Sequence, residues 1–323
     1  MSKHTILVTG IGGNVGQGIL RNIRQGYPKI TLLGTNSEAV SAGNHLCHKA
    51  YEVPFATAPE YLPRIKEICQ REHVDLVIPS TDYEAYYLST AQPDLPTVAC
   101  SPQESTGLFL NKRLTAEAFC ERSIPFARTT VPSKYTGQFG SLVVKPAAGR
   151  GSRDIHIDPH DPGSFSDDYV VQELLQGPEV TVAFYVTQRG DMIGFIALRR
   201  RLTHGWTDRC EVTFEYNDSI RALIERITAH FVVRGSCNIQ GIVTATGELV
   251  PFEINCRISG ANSIRAQFGF EDVRYTVEEY LFDREPTRPC VKAGAAVRIL
   301  MDVIYPDIEL SQIESEDTEH FIF

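Results

Sequence analysis

The sequence predicts an α/β front domain built on a parallel sheet, followed by a mixed α+β half. Residues 5–100 alternate short apolar strands with helical patterns, the order that gives a parallel sheet covered by helices. Residues 141–157 and 169–198 are strand-rich, with no helix pattern inside either stretch. The length of 323 residues fits two domains at roughly 100–200 residues each.

Thr5–Thr9 (TILVT) is a short apolar strand. Val15–Ile23 follows a glycine turn and reads as a helix, and Ile30–Gly34 is the next strand. Tyr61, Ile65, Ile68 and Cys69 recur at helical spacing, and Asp75–Pro79 (DLVIP) is a strand. A helix over Lys112–Glu121 must end before Pro125. Ile220, Leu223, Ile224, Ile227 and Phe231 mark an amphipathic helix, and Ser236–Thr244 with Leu249–Asn255 forms a hairpin around Thr246-Gly247. After Pro306 the chain is acidic and weakly patterned, which predicts a loosely held tail.

Hydrophobic residues make up 42% and charged residues 22%, which excludes disordered and fibrous classes. The net charge of −9 supplies no global basic field for nucleic acid, while leaving anionic small molecules open to local groups. No apolar run reaches the roughly 18 residues of a membrane span. The N-terminus lacks a signal-peptide pattern. The eight cysteines are scattered without a C-x-x-C, which predicts reduced thiols, a cytoplasmic protein and no structural zinc.

Thr9-Gly10-Ile11-Gly12-Gly13-Asn14-Val15-Gly16 joins the first strand to the first helix, where glycines let a backbone approach a phosphate. The spacing suits a dinucleotide site. However, the second strand ends in Leu33-Gly34-Thr35-Asn36, without the acidic residue that holds an NAD ribose, and no Tyr-x-x-x-Lys pair occurs. A tightly packed turn that binds no NAD therefore stays open beside the dinucleotide reading.

The hairpin carries the clearest chemistry. If Thr244 pairs with Leu249, Gln240 faces Glu253 and Asn238 faces Asn255. Alternation then puts Gln240, Glu253, Asn255 and Arg257 on one face, and Ile239, Val243, Val250, Phe252 and Ile254 on the core face. A carboxylate and an amide oxygen two residues apart suit Mg²⁺, which prefers oxygen ligands shared with substrate phosphates. An arginine two residues further can neutralise a transferring phosphoryl group. A solvated strand face with an incidental ion pair is the bland alternative. Upstream, Val143-Val144-Lys145-Pro146 ends a strand in a lysine. The glycine-rich, basic loop Ala147–Arg153 after it can fold over phosphates. Tyr169–Leu175 (YVVQELL) runs into Gln176-Gly177-Pro178-Glu179, a strand end able to offer backbone groups to a base edge.

Taken in order, these elements resemble the ATP-grasp superfamily, most closely ligases of the carbamoyl phosphate synthase large-subunit type, over about residues 4–300. VIPSTD (77–82), Asn111-Lys112, VVKPAAGRGSR (143–153), QELLQGPE (172–179) and FEINCRISG (252–260) carry the likeness. The resemblance implies a Rossmann-like pre-ATP-grasp domain at 1–100 and an ATP-grasp small lobe at 101–175. A large lobe at 176–310 and a tail at 311–323 complete the two-lobed fold. It implies that Lys112 and Lys145 hold ATP phosphates, covered by Gly149, Gly151 and Ser152. Glu173, Leu174 and Leu175 would contact adenine and Glu179 the ribose. Gln240, Glu253 and Asn255 would bind Mg²⁺, or Mn²⁺ in its place, and Arg257 and Lys145 would be catalytic. The chain departs from the family at Cys256, where proline is common, and at Gln240 and Ala183, where acidic residues are common. These departures leave the metal count open.

The implied activity is ATP-dependent joining of a carboxylate to an amine or related nucleophile through an acyl phosphate, giving ADP and phosphate. Small-molecule acid and amine partners are expected, without nucleic acid or membrane, and a homodimer stays open. Arg199, Arg200, Arg201, Arg209 and Arg265 are candidates for holding the substrate carboxylate, while His156, His160 and His204 receive no catalytic role. An NAD(P)-dependent oxidoreductase or epimerase using the first turn, and a non-catalytic nucleotide-binding subunit, are the competing readings.

Overall fold

The computed structural model describes residues 4–149, 154–203 and 205–323. Strands β1 (Thr5–Val8), β2 (Thr31–Asn36), β3 (Lys49–Glu52), β4 (Leu76–Ile78) and β5 (Thr97–Val98) form a parallel sheet in the order β3-β2-β1-β4-β5. The chain leaves β1 toward β2 and later returns to its other side as β4. That places a topological switch point between β1 and β4, where open α/β sheets form a crevice beyond their C-terminal ends. Helix α1 (Asn14–Gly26) buries Ile19, Leu20 and Ile23, and α2 (Tyr61–Arg71) buries Tyr61, Ile65, Ile68 and Cys69 on the face its spacing predicts. Helix α3 (Asp82–Thr90) starts with a reciprocal capping box between Thr81 and Glu84. Strands β3 and β5 carry no clear sequence signal, because β3 is half exposed and β5 has two residues.

Helices α4 (Gln103–Leu110) and α5 (Lys112–Glu121) follow. The break between them is Asn111, whose side-chain oxygen accepts from the backbone N–H of Arg113 and Leu114 and caps α5. Strands β6 (Thr129–Thr130), β7 (Leu142–Pro146), β8 (His156–Ile157) and β9 (Tyr169–Glu173) make an antiparallel sheet in the order β6-β9-β7-β8. A second antiparallel sheet contains β10 (Glu179–Val186), β11 (Met192–Thr203), β12 (Trp206–Val212), β13 (Gly235–Val243), β14 (Leu249–Asn255) and β15 (Ala295–Val297). Its order is β14-β13-β10-β11-β12-β15. Helix α6 (Asn217–His230) lays Ile220, Leu223, Ile224 and Ile227 on one face of this sheet, together with Phe109 and Phe119. Helices α7 (Asn262–Gln267) and α8 (Asp272–Tyr280) turn toward the front domain. Val273 and Val277 of α8 and Ile258 join the same core as Ile19 and Leu20 of α1.

The β13–β14 pairing corrects one assumption and keeps its consequence at the site. The turn pairs Val243, not Thr244, with Leu249, one residue off the expected register. A bulge between Gln240 and Gly241 then restores Gln240 opposite Glu253 and Asn238 opposite Asn255. Phe252 is the extra residue. The bulge exchanges faces along the outer part of β14, so Leu249 is in the core where Val250 and Phe252 were expected.

The tail is a second correction. Strands β16 (Val303–Ile304) and β17 (Phe321–Ile322) pair with each other. Ile313 is buried, Glu316 forms ion pairs with Arg24 and His48, and its backbone N–H donates to Cys47 O. Glu316, one of the acidic residues that suggested a loose segment, is thus a partner for basic groups on the front domain. No helix of the described residues is long and apolar enough to cross a membrane.

Candidate nucleotide and phosphoryl-transfer site

A cavity of about 1460 Å³ lies at the switch point. The loop after β1 (Gly10, Gly12, Gly13, Asn14) and the loop after β4 (Ser80, Thr81, Asp82) line one side. Gln240, Glu253, Asn255 and Arg257 line the other. Alternation along β13 and β14, with the Phe252 bulge, is what aims these four into one space.

Glu253 is the electrostatic centre. Burial pushes its carboxyl up, but Lys112, Lys145, a hydrogen bond from Asn255 and Arg257 outweigh burial and hold it below the usual range. The Asn255 amide donates to Glu253 Oε1 at 3.1 Å, and the Gln240 amide donates to Asn255 Oδ1 at 3.3 Å. Gln240 in turn gives its own oxygen to Arg200. Gln240, expected among the metal ligands with Glu253 and Asn255, thus stands between Asn255 and Arg200.

Lys145 is buried at the end of β7, with its Nζ 3.5 Å from the Phe252 carbonyl and over the Phe252 ring. The bulged residue therefore supplies both contacts to the lysine. Desolvation brings its ammonium down to about 8, with Lys112 adding to the fall and Glu253 opposing it. Lys112, also buried, reaches Gly149 O at 3.5 Å, and its backbone N–H bonds Ala147 O. Tyr83 of the front domain donates to Ala148 O, so the start of the glycine loop is tied to both neighbours. Gly151 and Ser152, expected to cover phosphates, lie outside the described residues, as do Arg150 and Arg153.

The expected base-edge strand ends at Glu173, which accepts from the backbone N–H and side chain of Arg128, and Leu174 N donates to Ser141 O. Glu173 and Leu174 are thus tied into the small sheet, and Glu173, Leu174 and Leu175 are not among the residues lining the cavity. Glu179 is held by two hydrogen bonds from Arg200. Arg200 links Glu179 to Gln240 and is a site residue that sequence reasoning found only as one of five candidate arginines. The rest separate on structure. Arg199 pairs with Glu211 and Glu215, and Arg209 with Asp208 on the surface. Arg201 is exposed and does not line the cavity. Arg265, 1% exposed, is locked to Asp272.

Arg257 donates from Nε and Nη2 to Asp82 Oδ2 at 3.1 and 2.8 Å, and from Nη1 to Ile258 O. That uses three of its donors and leaves two N–H bonds without a partner among the described residues. Asp82 is the residue that sequence reading missed as a site member, because 175 positions separate it from Arg257.

The glycines of the first turn have packing reasons. Gly10 has φ +60, and a Cβ there would fall 2.3 Å from Ser80 Oγ. At Gly16 a Cβ would fall 2.6 Å from the Gly10 carbonyl. Asn36, standing where an NAD site needs a carboxylate, accepts from the Gly12 N–H instead. Among the described residues no group of three or more His, Cys, Asp or Glu side chains is arranged to hold a metal alone. One ionised carboxylate beside an amide oxygen fits a Mg²⁺ that takes its remaining ligands from phosphates and water.

Residues 6–100 match the family described as PylC-like, N-terminal domain. Residues 165–303 match the family described as ATP-grasp in the biosynthetic pathway with Ter operon. Among curated proteins none matches this chain. The fold is similar to N5-carboxyaminoimidazole synthetase from Staphylococcus aureus, solved with ADP. That match has a TM-score of 0.76 at 11% identity and covers 93% of this chain and 83% of that one. It is also similar to biotin carboxylase from Campylobacter jejuni (TM-score 0.70, 14% identity, 91% and 74% covered). A third similar structure is an L-amino acid ligase from Bacillus licheniformis (TM-score 0.69, 12% identity, 87% and 75% covered). The PylC-like N-terminal match and the ATP-grasp match thus fall in order within a fold that is shared along nearly the whole chain with these enzymes.

Proposed function

We propose that the chain is an ATP-dependent ligase that activates a carboxylate as an acyl phosphate and passes it to an amine or related nucleophile, with ADP and phosphate as products. The observation that carries this reading is the gathering of Lys112, Lys145 and Arg257 around the ionised carboxylate Glu253, which lines a large cavity. Such a set does little covalent chemistry and is suited to positioning and neutralising a phosphoryl group. The similar structures solved with ADP or an ATP analogue support it.

In this reading residues 1–100 form the front domain, 101–175 the small lobe with the glycine-rich loop, and 176–310 the large lobe, with 311–323 as tail. ATP would supply the phosphoryl group, and Mg²⁺ (or Mn²⁺) would neutralise its oxygens. Lys112 and Lys145 hold the phosphates. Phosphate next to Lys145 restores the proton that burial weakens. Glu253 and Asn255 hold the metal, and Gln240, fixed by Arg200, orients Asn255. The Glu173–Glu179 hinge takes the nucleoside. Arg257, aimed by Asp82, faces the charge that develops on the transferred group. The acid and amine enter from the front-domain side of the cavity.

ADP release measured over a panel of carboxylates and amines tests this. Turnover that needs one acid, one nucleophile and Mg²⁺, and that falls with Glu253→Gln, is expected. Unchanged turnover in Glu253→Gln and Arg257→Ala rejects the assignment. Mass spectrometry of co-purified ligands narrows the panel.

A further inference from the structure

The cavity is also lined by groups that take no part in the arrangement around Glu253. Two arginines are among them, Arg21 from α1 and Arg298 from the segment after β15. Arg298 is fixed by hydrogen bonds from Nε to Thr207 O and from Nη2 to Gly260 O, both neutral acceptors. Arg21 has no hydrogen bond or ion pair among the described residues. The carboxylates lining the same cavity do not neutralise them. Asp82 serves Arg257, Glu84 serves the α3 cap, Glu253 serves the site above, and Glu38 pairs with neither arginine. Arg21 is exposed and Arg298 half-buried; burial lowers Arg298 from its usual value and Arg21 lowers it further, so the two guanidinium groups are near enough to repel. Like charges gathered without a counter-ion favour an anion between them.

The segment that follows Arg298 adds apolar groups to this lining. Ile299, Leu300 and Met301 line the cavity while staying 71%, 81% and 57% exposed, and Phe55 lines it from the front domain. An apolar surface left open beside paired cations suits a ligand that is charged at one end and apolar in its body. Along α1, Asn14, Gln17 and Arg21 stand at helical spacing on one cavity-facing stripe, which carries polar groups from the helix start to the arginine.

We propose that this part of the cleft binds the distal anionic group, a carboxylate or phosphate, of an otherwise apolar co-substrate. Arg21 and Arg298 hold the charge, and Ile299, Leu300 and Met301 contact the body. That the ligand is a co-substrate rests on the ligase reading; the anion site itself does not. It makes Arg21 a specificity-determining residue outside the arrangement around Glu253.

Calorimetric titration tests it. MgADP is titrated first and reads the nucleotide site separately. 4-Phenylbutyrate, phenyl phosphate and 4-phenylbutylamine are then titrated into the same protein. Either or both anions bind the wild type and the amine does not; the tighter anion identifies the chemistry. Arg21→Gln weakens anion binding about tenfold or more, Arg21→Lys restores part of it, and MgADP affinity is unchanged in both. Anion binding equal in Arg21→Gln and wild type, amine binding as tight as anion binding, or no anion binding at all overturns the proposal. Loss of MgADP binding by the wild type would overturn the ligase reading instead.

Discussion

Arg257 at the end of the β13–β14 hairpin is clamped by Asp82 at the start of α3, with two guanidinium nitrogens on one carboxylate oxygen and both side chains nearly buried. The pair joins the front domain to the face of β13 and β14 that carries Glu253. In the proposed ligase the front domain would therefore aim Arg257 as well as line the cavity.

Asp82→Asn should leave the Arg257 charge uncompensated in a mostly buried place. We expect a loss of about 2–4 kcal/mol in stability, seen as a lower urea midpoint. Arg257→Ala should lower ligase turnover by about 100-fold with little change in MgADP affinity, because its effect is on developing charge. Equal loss of turnover and nucleotide affinity would mean that Arg257 holds the ground state.

Lys145 gives a signed pH dependence. Its folded value of about 8 lies below the 10.5 of a free lysine. Between those values the unfolded chain holds more protons than the folded one, so stability of the ligand-free protein rises with pH through that window. Below about pH 8 the full cost of burying the ammonium is present. Lys145→Met should lack the rise, be more stable than wild type near neutral pH, and bind MgADP poorly. MgADP affinity of the wild type should fall as pH rises above about 8, where Lys145 loses its proton. Urea midpoints and titrations across the window read both effects.

Gly18 tests the seam between α1 and α7. A Cβ there would meet Asn262 Oδ1 at 2.3 Å. Asn262 cannot withdraw, since it is fully buried and bonded to Asn22, Val15 O and Ser259 O. Alanine gains about 1 kcal/mol in helix propensity over glycine. The clash should exceed that, giving a net loss of about 1–3 kcal/mol by thermal unfolding. A stabilised Gly18→Ala would show that the seam gives way.

Arg265 and Arg200 should behave differently although both began as candidate substrate arginines. Arg265→Ala strands Asp272 inside the protein, and a stability loss of about 3–5 kcal/mol is expected. Arg200→Ala should cost less stability, because Glu179 stays partly exposed, and should weaken nucleotide and metal binding through Glu179 and Gln240. Chemical denaturation alongside MgADP titration separates the two.

What the sequence revealed follows the range of the forces involved. The helix at Lys112–Glu121 and the faces of α1, α2 and α6 rest on local periodicity and capping, and they were readable. Gln240 opposite Glu253 was predicted from a turn pairing that is one residue wrong, and the Phe252 bulge cancels the error. Nothing local marks that bulge, so the core positions of Leu249 and Val250 were misassigned and the Phe252 contact to Lys145 was invisible. The Arg257–Asp82 clamp, the Gly18–Asn262 seam and the tail's Glu316 contacts join residues far apart in the chain. The first turn shows the same limit: its glycines answer to Ser80 and to Gly10 O, neighbours that only the fold supplies.

The most direct test of the account is equilibrium binding of MgATP and NADH to the same protein, repeated with Glu253→Gln and with Mg²⁺ removed by a chelator. The account predicts that MgATP binds, that either change weakens it about tenfold or more by removing the metal's carboxylate or the metal itself, and that NADH does not compete. Tight NADH binding with no MgATP binding would contradict it.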